Sequence, residues 1–232
     1  MLNEIDGMRK IMPQVRRDWC DQILVVDGGS KDGTIEYARA EGYEVLEQTR
    51  PGIRFAYLEG FARVRGDIVV TFSPDGNSLP ELIPVLVDKI ANGFDMVIAS
   101  RYLPPARSYD DDLITAFGNR VFTRTINLLH GAHYTDAMVM FRAYRTQVFF
   151  ELDLDKDETY APERLFGTIG GVEPLLSVRA VKRGLKVTEI PGDEPVRAGG
   201  VRKLQAFRWG ATYLTQIVRE LYYWKPPAAP LL

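Results

Sequence analysis

Short apolar runs alternate with longer amphipathic segments along the chain, and this alternation constrains the fold more than any other feature. Four compact runs rich in β-branched residues are each followed by a segment of helical periodicity; they cover residues 22–26, 43–47, 67–72 and 95–99. A fifth run spans residues 186–190. Continuous apolar strands separated by helices are typical of a sheet that helices cover on both faces. The sequence therefore predicts an α/β fold with a mostly parallel sheet flanked by helices.

Composition narrows the class of protein further. The chain has 232 residues, which favours a single domain. Its 29 basic and 31 acidic residues give a net charge of −2, which argues against a surface built for nucleic acid. Cys20 stands alone, so an intramolecular disulfide and a cysteine-based zinc site are excluded. No apolar run reaches the ~18 residues of a membrane span, and residues 1–10 lack a signal-peptide core, so we expect a cytoplasmic protein.

The segment after the first predicted strand is a candidate ligand loop, because α/β sheets bind ligands beyond the carboxyl ends of their strands. Residues 27–34 read DGGSKDGT, in which glycines allow close approach and Asp27 and Asp32 can accept hydrogen bonds. Ser30 breaks the G-x-G-x-x-G pattern, and Thr34 stands where a P-loop needs lysine. A tight turn that opens a helix is the alternative interpretation.

A second candidate segment follows the third strand. Asp75, in the sequence SPDGN, is a candidate ligand for Mg²⁺ or Mn²⁺, although an Asp-Gly turn has the same sequence. Near the C-terminus, Arg197, Arg202 and Lys203 surround two glycines. A basic loop of this kind suits a nucleotide diphosphate, and a solvated start to a helix is the alternative.

The segment of residues 203–223 predicts a long C-terminal amphipathic helix. Its apolar seam follows helical spacings of three and four and consists of Leu204, Phe207, Ala211, Leu214, Val218 and Leu221. Arginines and aromatic residues beside the seam suit an anionic membrane surface, and a homodimer would use the same seam. Packing of the helix on its own domain is the third interpretation.

Six segments that follow one another in order carry a family resemblance. They are NE (residues 3–4), ILVVDGGSKDGT (23–34), TFSPDGNSLPELI (71–83), DMVIASRY (95–102), TDAMVMFRAY (135–144) and GLKVTEIP (184–191) with Arg197 and residues 199–203 behind it. Their order resembles family 2 glycosyltransferases of the GT-A fold, and most closely the dolichyl- and polyprenyl-phosphate sugar synthase branch. Any one of these motifs is weak alone, whereas six in this order are specific and span almost the whole chain.

The resemblance implies a nucleotide-sugar site. The substrate-binding residues that it implies are Asn3, Glu4, Asp27, Gly28, Asp32, Ser73, Arg101, Arg197, Arg202 and Lys203. Asp27 would contact the nucleobase, Asp75 would bind the divalent metal at the diphosphate, and Arg197 with Lys203 would hold the diphosphate or an acceptor phosphate.

The resemblance also implies catalytic residues, and they are Asp136, Arg142 and Glu173. Asp136 and Arg142 would lie on the acceptor side, and Glu173 falls where related enzymes often carry an acidic residue. A phosphate acceptor is already anionic, whereas a hydroxyl acceptor needs a general base. Asp136 is our candidate for that base.

The chain departs from the family pattern in two places that matter. Ser73 occupies the first aspartate position of the D-x-D segment, which leaves Asp75 as the carboxylate of that segment. Two residues precede Asn3, where the family has a buried strand, so we expect either that the true start lies upstream or that the first family strand is missing.

The expected activity is the transfer of a sugar from a UDP- or GDP-sugar to a polyprenyl phosphate, assisted by Mg²⁺ or Mn²⁺. We expect one domain with a nucleotide-binding half (1–102), an acceptor half (103–200) and a C-terminal helix and tail (201–232), peripheral at the inner face of the membrane. Three alternatives stay open: a polysaccharide-building member of the family with a hydroxyl acceptor, a nonenzymatic nucleotide-binding descendant, and a sugar nucleotidyltransferase, whose glycine-rich N-terminal signature the chain lacks.

Overall fold

Helices and strands alternate through the chain as the sequence predicts. The computed structural model describes residues 1–198 and 206–226. The strands are β1 Leu24–Asp27, β2 Glu44–Glu47, β3 Ile68–Thr71, β4 Met96–Ser100, β5 Arg142–Arg145 and β6 Val187–Pro191. The α-helices are α1 Ile5–Ile11, α2 Thr34–Ala40, α3 Ile53–Phe61, α4 Leu82–Ala91, α5 Leu113–His130, α6 Thr146–Glu151, α7 Ala161–Phe166, α8 Glu173–Arg183 and α9 Ala206–Arg219.

The strands form two sheets. β1 and β2 pair in parallel, and the larger sheet has the order β3-β5-β4-β6. In that sheet β4 and β6 are parallel, and β5 runs antiparallel to both of its neighbours. Strands β3, β4 and β6 therefore point the same way, which brings their carboxyl ends to one edge. Strand β5 was not predicted, because four residues with arginine at both ends show neither an apolar run nor an alternating pattern.

The N-terminal residue lies beside β1, where the first family strand was expected to be missing. The Met1 amino group donates to the Val26 carbonyl at 2.6 Å, and the Gly28 amide donates to the Met1 carbonyl at 2.8 Å. Within the described residues no strand precedes β1, and no strand pairs with both β1 and β3.

Strand β4 lies between two apolar cores. All five of its residues are buried. Met96 and Ile98 point into one cluster, and Val97 and Ala99 point into the other. This alternation follows from the two-residue period of a strand, and it explains why a run without polar residues forms the centre of the fold.

Helix α9 packs on its own domain. Tyr213 and Ile217 are buried against α5 and α8, whereas Leu214, Val218 and Leu221 are 36%, 46% and 51% exposed. The predicted apolar seam therefore faces solvent over these positions. Its other part, with Leu204 and the side chain of Phe207, lies outside the described residues.

A buried ion pair holds the end of α9 in place. The Arg179 guanidinium of α8 donates to both oxygens of Glu220 at 3.0 and 2.9 Å, and both side chains are almost fully buried. Arg179 also donates to the Leu152 carbonyl at 2.7 Å. Sequence patterns of apolar residues do not reveal such an anchor, because its energy comes from paired charges.

Helix α1 approaches the loop after β3 so closely that one position in it requires glycine. A Cβ atom on Gly7 would lie 2.2 Å from the Pro74 carbonyl oxygen and 2.7 Å from the Asp75 Cα. We expect Gly7→Ala to lower the free energy of unfolding by about 1–3 kcal/mol, because backbone has to move. Gly66→Ala is the control, since its nearest neighbour would be 3.5 Å away. Denaturant unfolding measures both, and equal midpoints would contradict the predicted contact.

Candidate active site

A cavity of about 200 Å³ lies at the edge where β3, β4 and β6 end. Its lining comes from the segments that follow these strands and from the segment before β5. The lining residues are Ser73, Asp75, Asn77, Ser78, Ala99, Arg101, Met138, Val139, Met140, Phe141, Gly192, Asp193 and Glu194. Parallel strands present their carboxyl ends and the following loops together, which explains why residues far apart in sequence meet here. Three predicted site residues, Ser73, Asp75 and Arg101, share this cavity.

Arg101 and Asp136 form a buried ion pair at the wall of the cavity. Arg101 Nε lies 2.6 Å from Asp136 Oδ2, and Arg101 Nη2 lies 3.0 Å from Asp136 Oδ1. Burial favours the neutral form of Asp136, but the charge and hydrogen bonds of Arg101 outweigh it and lower the pKa of this carboxyl. A fully buried carboxylate with a lowered pKa is a poor proton acceptor. The predicted role of Asp136 as a general base is therefore not supported by its surroundings, and it positions Arg101.

Glu194 is a cavity residue that was missed in the sequence. It is 6% exposed and accepts hydrogen bonds from Asn77 at 3.3 Å, from Arg101 at 3.4 Å and from the Ser108 hydroxyl. Burial raises the pKa of Glu194, and Arg101 and Ser108 offset this only in part. The rule about strand ends could have found Glu194, because it follows the end of β6 just as Asp75 follows the end of β3.

A second missed carboxylate, Glu189, orders the segment before the cavity. It accepts hydrogen bonds from the Thr135 amide at 2.8 Å and from the Asp136 amide at 3.0 Å. Glu189 lies on β6, so it connects this strand to the Asp136 segment. Its function is to hold Asp136 where Arg101 can bind it.

Asp75 lies opposite Arg197. The Asp75 carboxylate is 3.7 Å from Arg197 Nη2, which is 2.9 Å from Asp110. Although burial disfavours the charged guanidinium, its hydrogen bond to Asp110 and the nearby Asp75 and Glu4 raise the pKa of Arg197. The Ala198 amide also donates to the Asp75 carbonyl at 2.8 Å. The predicted metal ligand and the predicted phosphate-binding arginine are thus neighbours.

The donors around Asp75 fit a hard divalent cation. This part of the cavity wall offers oxygen acceptors and one amide, which come from Ser73, Asp75, Asn77 and Glu194. Oxygen ligands are those that Mg²⁺ and Mn²⁺ prefer. In residues 1–198 and 206–226 no group of three histidine, cysteine or acidic residues could hold a metal by itself. A cation here would need oxygens from a bound diphosphate to complete its shell.

The N-terminal segment binds the loop after β1. The Asn3 amide donates to Ser30 Oγ at 2.7 Å, and Asn3 Oδ1 accepts from the Lys31 amide at 2.8 Å. The Glu4 amide donates to Thr34 Oγ1 at 3.1 Å. Together with the contact of Gly28 with Met1, these bonds bring the predicted residues Asn3, Glu4 and Gly28 together.

Both aspartates of this loop are engaged by their own neighbourhood. Asp27 is fully buried, and its carboxylate accepts from the amides of Gly29 and Ser30 at 2.8 and 2.7 Å. Asp32 accepts from the hydroxyl of Thr34 at 2.5 Å and from the Ile5 amide at 3.1 Å. Asp27 therefore shapes the loop in this structure, and its predicted contact with a nucleobase stays a prediction.

Two predicted catalytic residues lie away from the cavity. Arg142 is 1% exposed, and its guanidinium donates to Ser177 Oγ at 3.1 Å and to the carbonyls of Ala137 and Val139. These bonds hold the segment that lines the cavity, and the predicted catalytic role of Arg142 stays a prediction. Glu173 is 6% exposed and accepts from Tyr57 Oη at 2.7 Å in the core.

Arg202 and Lys203, the other predicted substrate-binding residues, lie outside the described residues. Their predicted roles stay predictions. Of the basic C-terminal group, Arg197 is described and is at the cavity.

The chain belongs to glycosyl transferase family 2, whose sequence profile matches residues 13–152. It is 28% identical over 219 residues to dolichyl-phosphate hexose transferase from Haloferax volcanii, covering 94% of this chain and 89% of that protein. It is 30% identical over 220 residues to polyprenol monophosphomannose synthase from Mycolicibacterium smegmatis, covering 87% and 77%. The predicted family and the enzyme class, a glycosyltransferase, are confirmed.

The fold is similar to that of glucosyl-3-phosphoglycerate synthase from Mycobacterium tuberculosis, solved with Mn²⁺, UDP and phosphoglyceric acid. The TM-score is 0.67 at 20% identity, and the match covers 98% of this chain and 78% of that one. The predicted GT-A-type α/β fold is confirmed. Among the described residues, no helix combines the length and the apolar character needed to cross a membrane.

The Arg101–Asp136 pair gives a stability prediction. We expect Asp136→Asn to lower the free energy of unfolding by about 3–5 kcal/mol, because Arg101 loses a partner while it stays buried. Asp18→Asn is the control, since the Arg16–Asp18 pair is exposed and water screens it. Denaturant unfolding at neutral pH measures both. Equal losses for the two variants would contradict the prediction.

The same pair predicts a pH dependence. Arg101 keeps the pKa of folded Asp136 below its unfolded value, which is about 3.9. The stability from the ionised carboxylate is therefore complete above pH about 4 and is lost as the pH falls through the folded pKa. The difference between wild type and Asp136→Asn should shrink in that acidic range, and a constant difference would contradict this assignment.

Proposed function

We propose that this glycosyltransferase moves a sugar from a nucleoside-diphosphate sugar to a polyprenyl phosphate in the cavity beside Asp75 and Arg101. The observation that carries the proposal is that the cavity carboxylates are already held by hydrogen bonds from the protein. Asp75, Asp193 and Glu194 each accept a hydrogen bond from a protein group, at Asn77, Arg107 and Ser108. An acceptor that arrives as an anion needs no base. A lipid phosphate is such an acceptor, and the names of the curated relatives support it.

The donor would lie between the loop after β1 and the loop after β3. Residues 1–4 connect these two loops, because they bind residues 28–34 and lead into α1, which contacts Pro74 and Asp75 through Gly7. Backbone amides and glycines in the first loop allow a nucleotide to approach closely. The solved neighbour, whose complex contains UDP, supports a nucleotide as part of the donor.

Catalysis would consist of positioning and of charge stabilisation on the leaving diphosphate. Asp75 would hold Mg²⁺ or Mn²⁺, and this cation would neutralise charge that develops on the diphosphate. Arg197 is next to Asp75 and carries a permanent positive charge, so it can bind the same diphosphate or the acceptor phosphate. Arg101 is fixed by Asp136 and Glu194, whose carboxylates offset its charge, so it would order the cavity wall before the substrate arrives.

A polysaccharide-building activity with a hydroxyl acceptor is the second candidate function. Glu194 favours it, because burial raises the pKa of this carboxyl at the cavity wall. To act as a general base, Glu194 would have to exchange its hydrogen bond from Ser108 for one from the acceptor hydroxyl. The chain also reads Gln205, Ala206, Phe207, Arg208 and Trp209 in order, which has the Q-x-x-R-W spacing usual in such members. Glu194→Gln distinguishes the two functions. It should abolish turnover with a hydroxyl acceptor and change turnover with a polyprenyl phosphate far less.

Nucleotide binding is the first property to measure. We expect calorimetry with UDP, GDP and their sugars to show binding that needs Mn²⁺ or Mg²⁺, because one protein carboxylate holds the cation only together with a diphosphate. Binding of the cation alone should be weak, and Ser73→Asp should strengthen it. An absence of heat with every nucleotide would reject the enzyme and favour a nonenzymatic descendant.

Asp75 is the residue on which the proposed chemistry depends most. Asp75→Asn keeps the size of the side chain and removes its charge, so we expect turnover to fall about 100-fold or more. Asp88→Asn, on the exposed side of α4, is the control. The readout is sugar transfer to a polyprenyl phosphate at saturating metal. Normal turnover of Asp75→Asn would show that Asp75 is only a turn residue.

A further inference from the structure

Helix α5 exposes large apolar side chains at its N-terminal end. Leu113, Ile114 and Phe117 are 90%, 68% and 69% exposed, and Tyr109, just before the helix, is 59% exposed. We call these four residues the α5 apolar patch. Single exposed apolar residues are normal on a protein surface, but four of this size within nine positions form a patch that indicates a binding surface.

Basic residues continue the exposed face of α5 beyond the patch. Arg120 and Arg124 are exposed and follow Phe117 by three and seven residues, so all three lie on one face of the helix. Leu128, 84% exposed, continues it. Residues 113–135 contain no aspartate or glutamate. This face therefore combines apolar groups with positive charge.

Three aspartates lie just before α5, and the exposed one, Asp112, offsets part of the positive charge at the start of the helix. Asp110 binds Arg197 at 2.9 Å, and Asp111 accepts from the Tyr102 hydroxyl. Asp112 caps the helix by accepting from the Thr115 amide at 2.7 Å. Each of these carboxylates is engaged by the protein.

The patch is attached directly to the active-site cavity. The Tyr109 amide donates to the Glu194 carbonyl at 2.8 Å, and Asp110 binds the same Arg197 that faces Asp75. Nearly two turns into the helix, Asn119 donates to Tyr102 Oη at 3.0 Å, and Tyr102 follows Arg101 in the chain. A surface that meets the α5 apolar patch is therefore fixed in position relative to the cavity.

We propose that the α5 apolar patch inserts between the headgroups of an anionic lipid bilayer while Arg120 and Arg124 bind lipid phosphates. Exposed apolar side chains at the start of the helix and two exposed arginines further along it match the apolar and anionic layers of such a surface. The proposal rests on the proposed function, because a bilayer next to the cavity would deliver a lipid-linked acceptor to it.

The test is flotation of the full chain with vesicles of phosphatidylcholine and phosphatidylglycerol in equal parts. We expect wild type to bind, and Leu113→Ser with Phe117→Ser to lower the partition coefficient about 100-fold, roughly tenfold for each side chain. Both positions are exposed, so the variant should fold, and a circular dichroism melt checks this. Leu165→Ser is the matched control, because Leu165 is 74% exposed on α7, outside the patch.

The arginines are tested separately. Arg120→Gln with Arg124→Gln should weaken binding to the anionic vesicles, and added salt should remove the difference from wild type. Wild type should bind pure phosphatidylcholine vesicles more weakly than the mixed vesicles. Equal binding to both kinds of vesicle would overturn the role of the arginines.

Three results would overturn the proposal. Wild type that ignores the vesicles excludes a bilayer contact. The contact belongs to α9 if the double variant Val218→Ser with Leu221→Ser abolishes vesicle binding and the patch variant still binds. A dimer in sedimentation that dissociates in the patch variant makes a second copy the occupant. UDP calorimetry on the same samples keeps the proposed function separate: patch variants should bind UDP like wild type, and a chain that binds vesicles but no nucleotide would reject the function alone.

Discussion

The buried pair of Arg101 and Asp136 is the interaction on which the cavity depends. It joins the end of β4 to the segment before β5, and the contact of Arg101 with Glu194 adds the end of β6. Removing two charges from water is costly, and the cost is recovered here only because the guanidinium makes two short bonds to one carboxylate. Glu189 and Arg142 also hold the segment around Asp136, through hydrogen bonds with the Asp136 amide and the Val139 carbonyl. Paired charges buried in the fold thus fix the cavity wall that the substrate would meet.

Five of the six strands in the described residues could be predicted, because each is a short run bounded by turn residues. Residues 95–99 are an example: the run has no polar side chain after Asp95, and the structure buries it on both faces. The site could be located for the same reason, since the rule about strand ends led to Asp75, and the family resemblance added Arg101. Motif order in the chain then identified the family, which no single strand or loop could have done.

The roles of individual residues were harder to predict, because a motif does not show which way a side chain points. Asp27, Asp136 and Arg142 stand in recognisable motifs, but the structure turns each of them toward protein groups. Glu194 stands in no strong motif and reaches the cavity because β6 ends there. The same limit applies to α9: its apolar spacing was visible, but the buried Arg179–Glu220 pair and the contacts of Tyr213 decide which face packs inward.

The division of the strands into two sheets has a consequence for local stability. No ladder of backbone hydrogen bonds crosses from β1 and β2 to the larger sheet in the described residues, so the two groups are joined through side-chain packing and helix contacts. Backbone ladders transmit cooperativity, and a unit outside the main ladder can open at a lower free energy than the whole domain. Amide hydrogen exchange would then separate the chain into two units, with faster exchange in β1, β2 and the loop 28–34 than in β4. Such an opening would admit and release a nucleotide while the cavity around Arg101 keeps its shape.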